Sequence, residues 1–121
     1  MRKSQQIQKS QVPSGFDLQR MQAHAGEAAR LLKALANERR LQVLCLLAGG
    51  EHSVGELNER LDVSQPALSQ HLAVLREEGL VDTRREAQTI HYSLAPGPAA
   101  AVMATLYAAY CECQETGGAT T

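Results

Sequence analysis

The chain has 121 residues and a formal net charge of −1, with 44% hydrophobic and 3% aromatic residues and no Trp. That length suits one domain with a modest core of Leu, Val and Ala, a mixture that favours helices. The charge balance excludes polyanion binding by bulk charge, so contacts to nucleic acid have to come from local patches and from doubling in a dimer. No apolar run approaches the ~20 residues of a membrane span. The basic start MRKSQQIQKSQ has no apolar segment after it and does not read as a secretory signal. The chain therefore reads as cytoplasmic, with no membrane partner. Its three cysteines read as reduced thiols open to redox or metal chemistry, not as a disulfide framework.

Residues 1–15 are Gln/Ser/Lys-rich and bounded by Pro13 and Gly15, and predict a flexible tail. Residues 16–114 predict the folded domain, and 115–121 a second polar tail. Leu18, Met21, Ala25, Ala28, Leu31, Leu32 and Leu35 recur with helical spacing over Phe16–Leu35. Asn37 then caps a second helix, Glu38–Ala48, stopped by Gly49 and Gly50. That helix is apolar on most sides (Leu41, Val43, Leu44, Cys45, Leu46, Leu47), the mark of a central helix.

Ser53 and Glu56 form a capping box that opens a third helix. A tight turn, Asp62-Val63-Ser64, leads into a fourth. Ser64 caps it, and Pro66 sits in its first turn, where a missing N–H costs little. Leu68, Leu72 and Leu75 face inward. The outward side carries Gln65, Ala67, Ser69, Gln70 and His71, short uncharged groups of the kind that read base edges in a major groove. A greasy back and a small, polar front define the reader of a helix-turn-helix. Leu80–Arg85 and Thr89–Leu94 predict a two-stranded hairpin around Glu86-Ala87-Gln88, whose tip lacks the usual Gly. Pro96-Gly97-Pro98 punctuates the chain before a last helix, Ala99–Gln114. The fold class is thus mainly α with a small β-hairpin: a dimeric winged helix-turn-helix of about five helices and a two-stranded wing.

From Leu32 to Leu94 the chain resembles the ArsR/SmtB family of dimeric winged-helix repressors. The carrying segments are LLKALANERRLQVLCLL, VGEL…VSQPALSQHLAVLREEGLV and TRREAQTIHYSL. The resemblance implies a homodimer built on the first and last helices, with the reader helix in the major groove and the wing along the backbone or minor groove. It makes Gln65, Ser69, Gln70 and His71 candidate groove contacts, beside Ser64 and Ala67. Arg84, Arg85 and Gln88 become candidate wing contacts and Arg76 a phosphate contact. Both familiar metal sites of the family are missing. Ser53-Val54-Gly55-Glu56-Leu57 stands where the arsenic and cadmium sensors carry Cys-x-Cys-Asp-Leu. The last helix has no His or Asp, and only Glu112 and Glu115 as acids, where the zinc sensors place their ligands.

Cys45 alone reads as a small buried hydrophobe. Cys45 and Cys111 together resemble the thiol-based, persulfide-sensing branch of the family. There, one cysteine on each of these two helices links through a disulfide or a bridging polysulfide, and DNA is released. Cys113 lies about 200° around a helix from Cys111, so only one of the two can face Cys45. The resemblance therefore implies a transcriptional repressor on a palindromic DNA operator, its half-sites about one helical turn apart. Release follows linkage of Cys45 and Cys111 by reactive sulfur species or another oxidant. A metal-responsive repressor with a non-standard site and a constitutive DNA-binding protein remain as alternatives. His24, His52 and His91 read as surface groups, and Arg39 and Arg40 either meet phosphates or solvate a helix start. Tyr107 and Tyr110 read as core or dimer packing. No Gly-rich phosphate loop, nucleophile elbow or acid pair is present, so no enzyme activity, cofactor or metal is expected.

Overall fold

The computed structural model describes residues 15–112. Most of the two expected tails, Cys113 and the expected end of the last helix at Gln114 lie outside them. The first helix, α1, runs Leu18–Leu35. It starts two residues later than its apolar pattern suggests, because Asp17 acts as its cap: the Asp17 carboxylate accepts from the Gln19 N–H at 2.9 Å. The chain divides between Arg30 and Leu31 into two compact units. In the first, Phe16, Leu18 and Met21 are exposed.

The second unit holds the core. Asn37 caps α2 (Glu38–Ala48) by accepting from the Arg40 N–H. Arg40 then turns back: its Nε donates to the Ala34 carbonyl at 2.6 Å and its Nη2 to the Lys33 carbonyl at 3.4 Å. It satisfies carbonyls that the end of α1 leaves open. Arg40 is thus engaged by the end of the preceding helix. After α2 come β1 (His52–Ser53), α3 (Val54–Arg60), α4 (Gln65–Glu77), β2 (Val81–Glu86) and β3 (Thr89–Leu94). Last is α5 (Pro98–Tyr107), which continues into one π-helical turn, Ala108–Glu112. No helix among the described residues is long and apolar enough to cross a membrane.

Five helices and a winged hairpin agree with the expected fold, with one addition. The sheet has three antiparallel strands in the order β1-β3-β2. His52 pairs with Tyr92 and Ser53 with His91. A two-residue strand is too short to carry an alternating pattern, so the sequence does not announce it. The first strand of the hairpin is shifted one residue toward the tip, Val81–Glu86 in place of the expected Leu80–Arg85. The turn closes between Glu86 and Thr89, with Ala87 at φ 57°, a region that usually takes Gly or Asn.

The core gathers Val43, Leu44 and Leu47 from α2, Leu57 from α3, Leu68, Leu72 and Leu75 from α4, Tyr92 from β3, and Ala99 and Met103 from α5. α2 packs against α4, α5 and β3. It is central, yet not covered on every side, because Cys45 and Gln42 are exposed. Gly79 ends α4. Its N–H donates to the Arg76 carbonyl at 3.0 Å, and the Leu80 N–H to the Leu75 carbonyl at 2.9 Å. This is a Schellman motif, which needs a left-handed residue at Gly79 (φ 74°).

Two substitutions separate the packing term from the backbone term. Leu44→Ala leaves a cavity at a fully buried site and should cost about 2–5 kcal/mol. A Cβ on Gly79 would meet no atom within 4 Å, so Gly79→Ala should cost only the left-handed backbone penalty, about 1–2 kcal/mol. Urea denaturation at one protein concentration reads both.

Candidate nucleic-acid interface and thiol pair

The reading helix is held from behind and tethered at its start. Leu68, Leu72 and Leu75 are 0%, 2% and 0% exposed. Their helical spacing fixes which side of α4 faces out. The Ser64 hydroxyl accepts from the Ala67 N–H at 3.3 Å, and Pro66 occupies the first turn. The turn before it is pinned by Asn58, whose Nδ2 donates to the Val63 carbonyl at 2.8 Å. Asn58 is a site residue that the sequence reading missed. Nothing in a local pattern distinguishes it from any polar residue on a helix.

On the outer side Ser64, Gln65, Ser69, Gln70 and Arg76 are exposed, and Ala67 and His71 are half-buried. Thirteen residues make a helix about 20 Å long, enough to cross a major groove about 12 Å wide. Gln65 and Gln70 offer paired donor and acceptor groups suited to adenine, and Ser69 adapts to either edge. His71 titrates below its ordinary value of 6.5, first because it is partly desolvated and then because Arg40 and Arg39 are nearby. At neutral pH it presents one donor and one acceptor, not a cation.

The wing alternates by the period of a strand. Val81, Thr83 and Arg85 lie on one face, opposite Leu94, Tyr92 and Ile90. That face is buried at Val81 and Tyr92 and opens to solvent at Arg85. Asp82, Arg84 and Glu86 lie on the other face, opposite Ser93, His91 and Thr89. Arg85 and Gln88 are exposed as expected. Arg84 is engaged within the chain. Its Nε and Nη2 donate to the two carboxylate oxygens of Glu51 at 3.0 and 2.7 Å, and its Nη1 to Glu86 at 3.4 Å. His91 Nε2 lies 3.5 Å from the same Glu86 oxygen. The hydrogen bond from Arg84 pulls the Glu51 carboxyl below the usual carboxylate range. Glu51 is 33 residues from Arg84 in sequence, and only the sheet order brings the two together.

One thiol stands on α2, which touches α5, and the other in the turn that follows α5. Cys45 lies on α2 and is exposed, not the buried hydrophobe its apolar neighbours suggested, and Cys111 is half-buried in the π-helical turn that extends α5. α2 packs against α5 on one side and α4 on another. Among the described residues no cluster of three His, Cys, Asp or Glu is placed to hold a metal.

A capped reader helix with a polar front, set beside an antiparallel hairpin, defines a winged helix-turn-helix DNA-binding protein. Residues 37–83 match the profile of the arsR family of bacterial regulatory proteins, and the chain belongs to that family. It is 52% identical over 100 residues to the transcriptional activator HlyU of Vibrio cholerae, covering 83% of this chain and 93% of that protein. It is 55% identical over 95 residues to the biofilm growth-associated repressor of Agrobacterium fabrum, covering 78% and 81%. Among solved structures it is similar to reduced HlyU from Vibrio cholerae, with a TM-score of 0.72 and 55% identity over 77% of this chain and 98% of that one. The repressor BigR from Xylella fastidiosa gives a TM-score of 0.74 and 44% identity over 79% and 98%. A homodimeric winged helix-turn-helix domain from Mycobacterium bovis gives 0.68 and 34% over 87% and 95%. The chain is thus a transcriptional regulator, not an enzyme.

The environment of His71 has a spectroscopic signature. Its imidazole should titrate below 6.5 by NMR, and Arg39→Gln should move it upward. The unfolded chain takes up this proton at higher pH than the folded chain does. The group's contribution to stability is therefore complete above the unfolded pKa and is lost as pH falls through the folded one. A titration at or above the ordinary histidine value would contradict the assigned surroundings.

Proposed function

We propose that the chain is a dimeric transcriptional repressor, working in the cytoplasm, that binds a palindromic operator and lets go when Cys45 and Cys111 become covalently linked. A second copy covers apolar side chains that a single chain leaves exposed, Leu18, Met21 and Leu32 on one helix with Phe16 just before it, and Tyr107 and Tyr110 at the chain's other end. The pair of α4 helices enters successive major grooves about one helical turn apart. Gln65, Ser69, Gln70 and His71 meet base edges, with Ser64 and Ala67 beside them, while Arg76, Arg85 and Gln88 meet the backbone.

The observation that carries the switch is the position of α2, which bears Cys45 and packs against both the reader helix and the helix that leads to Cys111. Similar proteins support the reading: two are repressors, and one structure is of a regulator in its reduced form. In the proposed chemistry one thiolate attacks the outer sulfur of a persulfide donor and becomes a persulfide, and the donor leaves as a thiolate. The second thiolate attacks the sulfur bonded to carbon and expels hydrosulfide. Two electrons from the cysteine pair thereby reduce one sulfane sulfur to sulfide. If both cysteines first gain a sulfur, the same attack leaves a trisulfide. Its extra atom spans a gap wider than the ~7 Å between Cα atoms that limits a plain disulfide.

Linkage releases DNA only if the linked state binds less tightly than the dithiol. In a gel shift with a glutathione persulfide donor, the unsubstituted protein should lose operator affinity by about 5–150-fold. Cys45→Ser and Cys111→Ser should bind DNA normally and ignore the donor. Unchanged affinity of the treated unsubstituted protein, with the link verified by mass spectrometry, would remove the switch.

A further inference from the structure

Arg84 and Arg85 are adjacent cations on the wing, yet the structure gives them different surroundings. Strand alternation sends them to opposite faces of the sheet. Arg85 is exposed near the tip. Arg84 reaches across β3, past His91, and grips both oxygens of Glu51 with two parallel N–H donors while a third nitrogen faces Glu86. Three guanidinium nitrogens therefore point at carboxylates of the same chain.

Glu51 immediately precedes β1, and β1 runs straight into α3, the first helix of the helix-turn-helix. The backbone ladder that joins the wing sheet to this segment is two residue pairs long. The Glu51–Arg84 fork adds a second tie across the same junction. An exposed ion pair contributes little to overall stability, but a bidentate fork fixes direction as well as distance. Direction matters here because each wing strand has six residues, an arm about 20 Å long. A small rotation at its base displaces the tip by a contact distance.

We propose that Arg84 does not contact DNA: it is a positioning residue that, through Glu51, sets the angle of the wing against the reader helix, and Arg85 is the wing cation that meets a phosphate. The inference rests on the DNA-binding reading of α4 and the wing.

The test uses the full chain and a fluorescent duplex recovered by in vitro selection with the unsubstituted protein. Binding is followed by anisotropy from about 50 to about 200 mM salt, so that the slope counts phosphate contacts. Circular dichroism confirms that each variant is folded. R84Q and E51Q should each weaken binding about two- to five-fold, the scale of one exposed pair, with no change of salt slope. The double variant should be no weaker than either single one, because both remove the same interaction. The charge swap E51R/R84E should restore most of the affinity. R85Q should weaken binding and lower the salt slope by about one.

A fall of about one in the slope for R84Q would place Arg84 on a phosphate and overturn the inference. So would tighter binding by E51Q, which would mean that Glu51 masks a cation DNA would otherwise use. A folded swap variant binding as poorly as R84Q would overturn it too. Absence of salt-dependent binding by the unsubstituted protein would instead remove the DNA-binding reading, and the inference with it.

Discussion

The reading surface depends on the burial of one leucine stripe. Leu68, Leu72 and Leu75 fill the core shared with α2. Each contributes about 1.5–3 kcal/mol from burial, whereas an exposed ion pair such as those on the wing contributes much less. Successive residues on a helix are about 100° apart, so fixing these three side chains fixes the azimuth of every other residue on α4. The polar front is a consequence of the apolar back. Ser64 and Asn58 then settle the axial position, one by capping the helix and the other by pinning the turn.

The same core bears on the proposal that Cys45, on α2, is a regulatory thiol. This helix supplies Val43, Leu44 and Leu47 to the core and contacts α4, α5 and β3. A close-packed interior does not absorb a displacement locally, because there is no void to take it up. A covalent tie at Cys45 would pull on the element that sets the reader's azimuth, while Cys45 itself stays open to a reagent. Buried in the core, the thiol would be inert; placed on α4, its modification would alter the reading face directly. On the open side of α2 it is reachable and still mechanically coupled, which is the arrangement the proposed switch requires.

Local signals in the sequence were reliable where a short-range rule decides the structure. The Asn37 and Ser64 caps, the Ser53–Glu56 capping box and the inward leucines of α4 are where the residues imply. Four features escaped because their cause is not local. β1 is a strand only because β3 lies beside it. Arg40 is spent on α1 carbonyls that its own helix gives no hint of. The last helix changes to a π turn at Ala108, and no residue from Ala108 to Glu112 is a breaker. Glu51 and Arg84 meet only because β3 lies between β1 and β2. Cys45 shows the reverse error: its neighbours in sequence are apolar, but the 100° step of the helix turns it out of the core they form.

These charges also bear on how tightly such a protein can hold DNA. The chain has a net charge of −1, and two of its arginines, Arg40 and Arg84, are engaged by its own carbonyls and carboxylates. In the proposed complex, local cations such as Arg76 and Arg85 would meet phosphates, while the uncharged side chains of α4 would read base edges. That division suits a switch. Coupling between two sites is typically about 1–3 kcal/mol, which changes affinity by about 5–150-fold whatever the total binding energy. In the proposed complex a small change in the spacing of the two reader helices would weaken base contacts at both half-sites together, so one modest coupling would act twice.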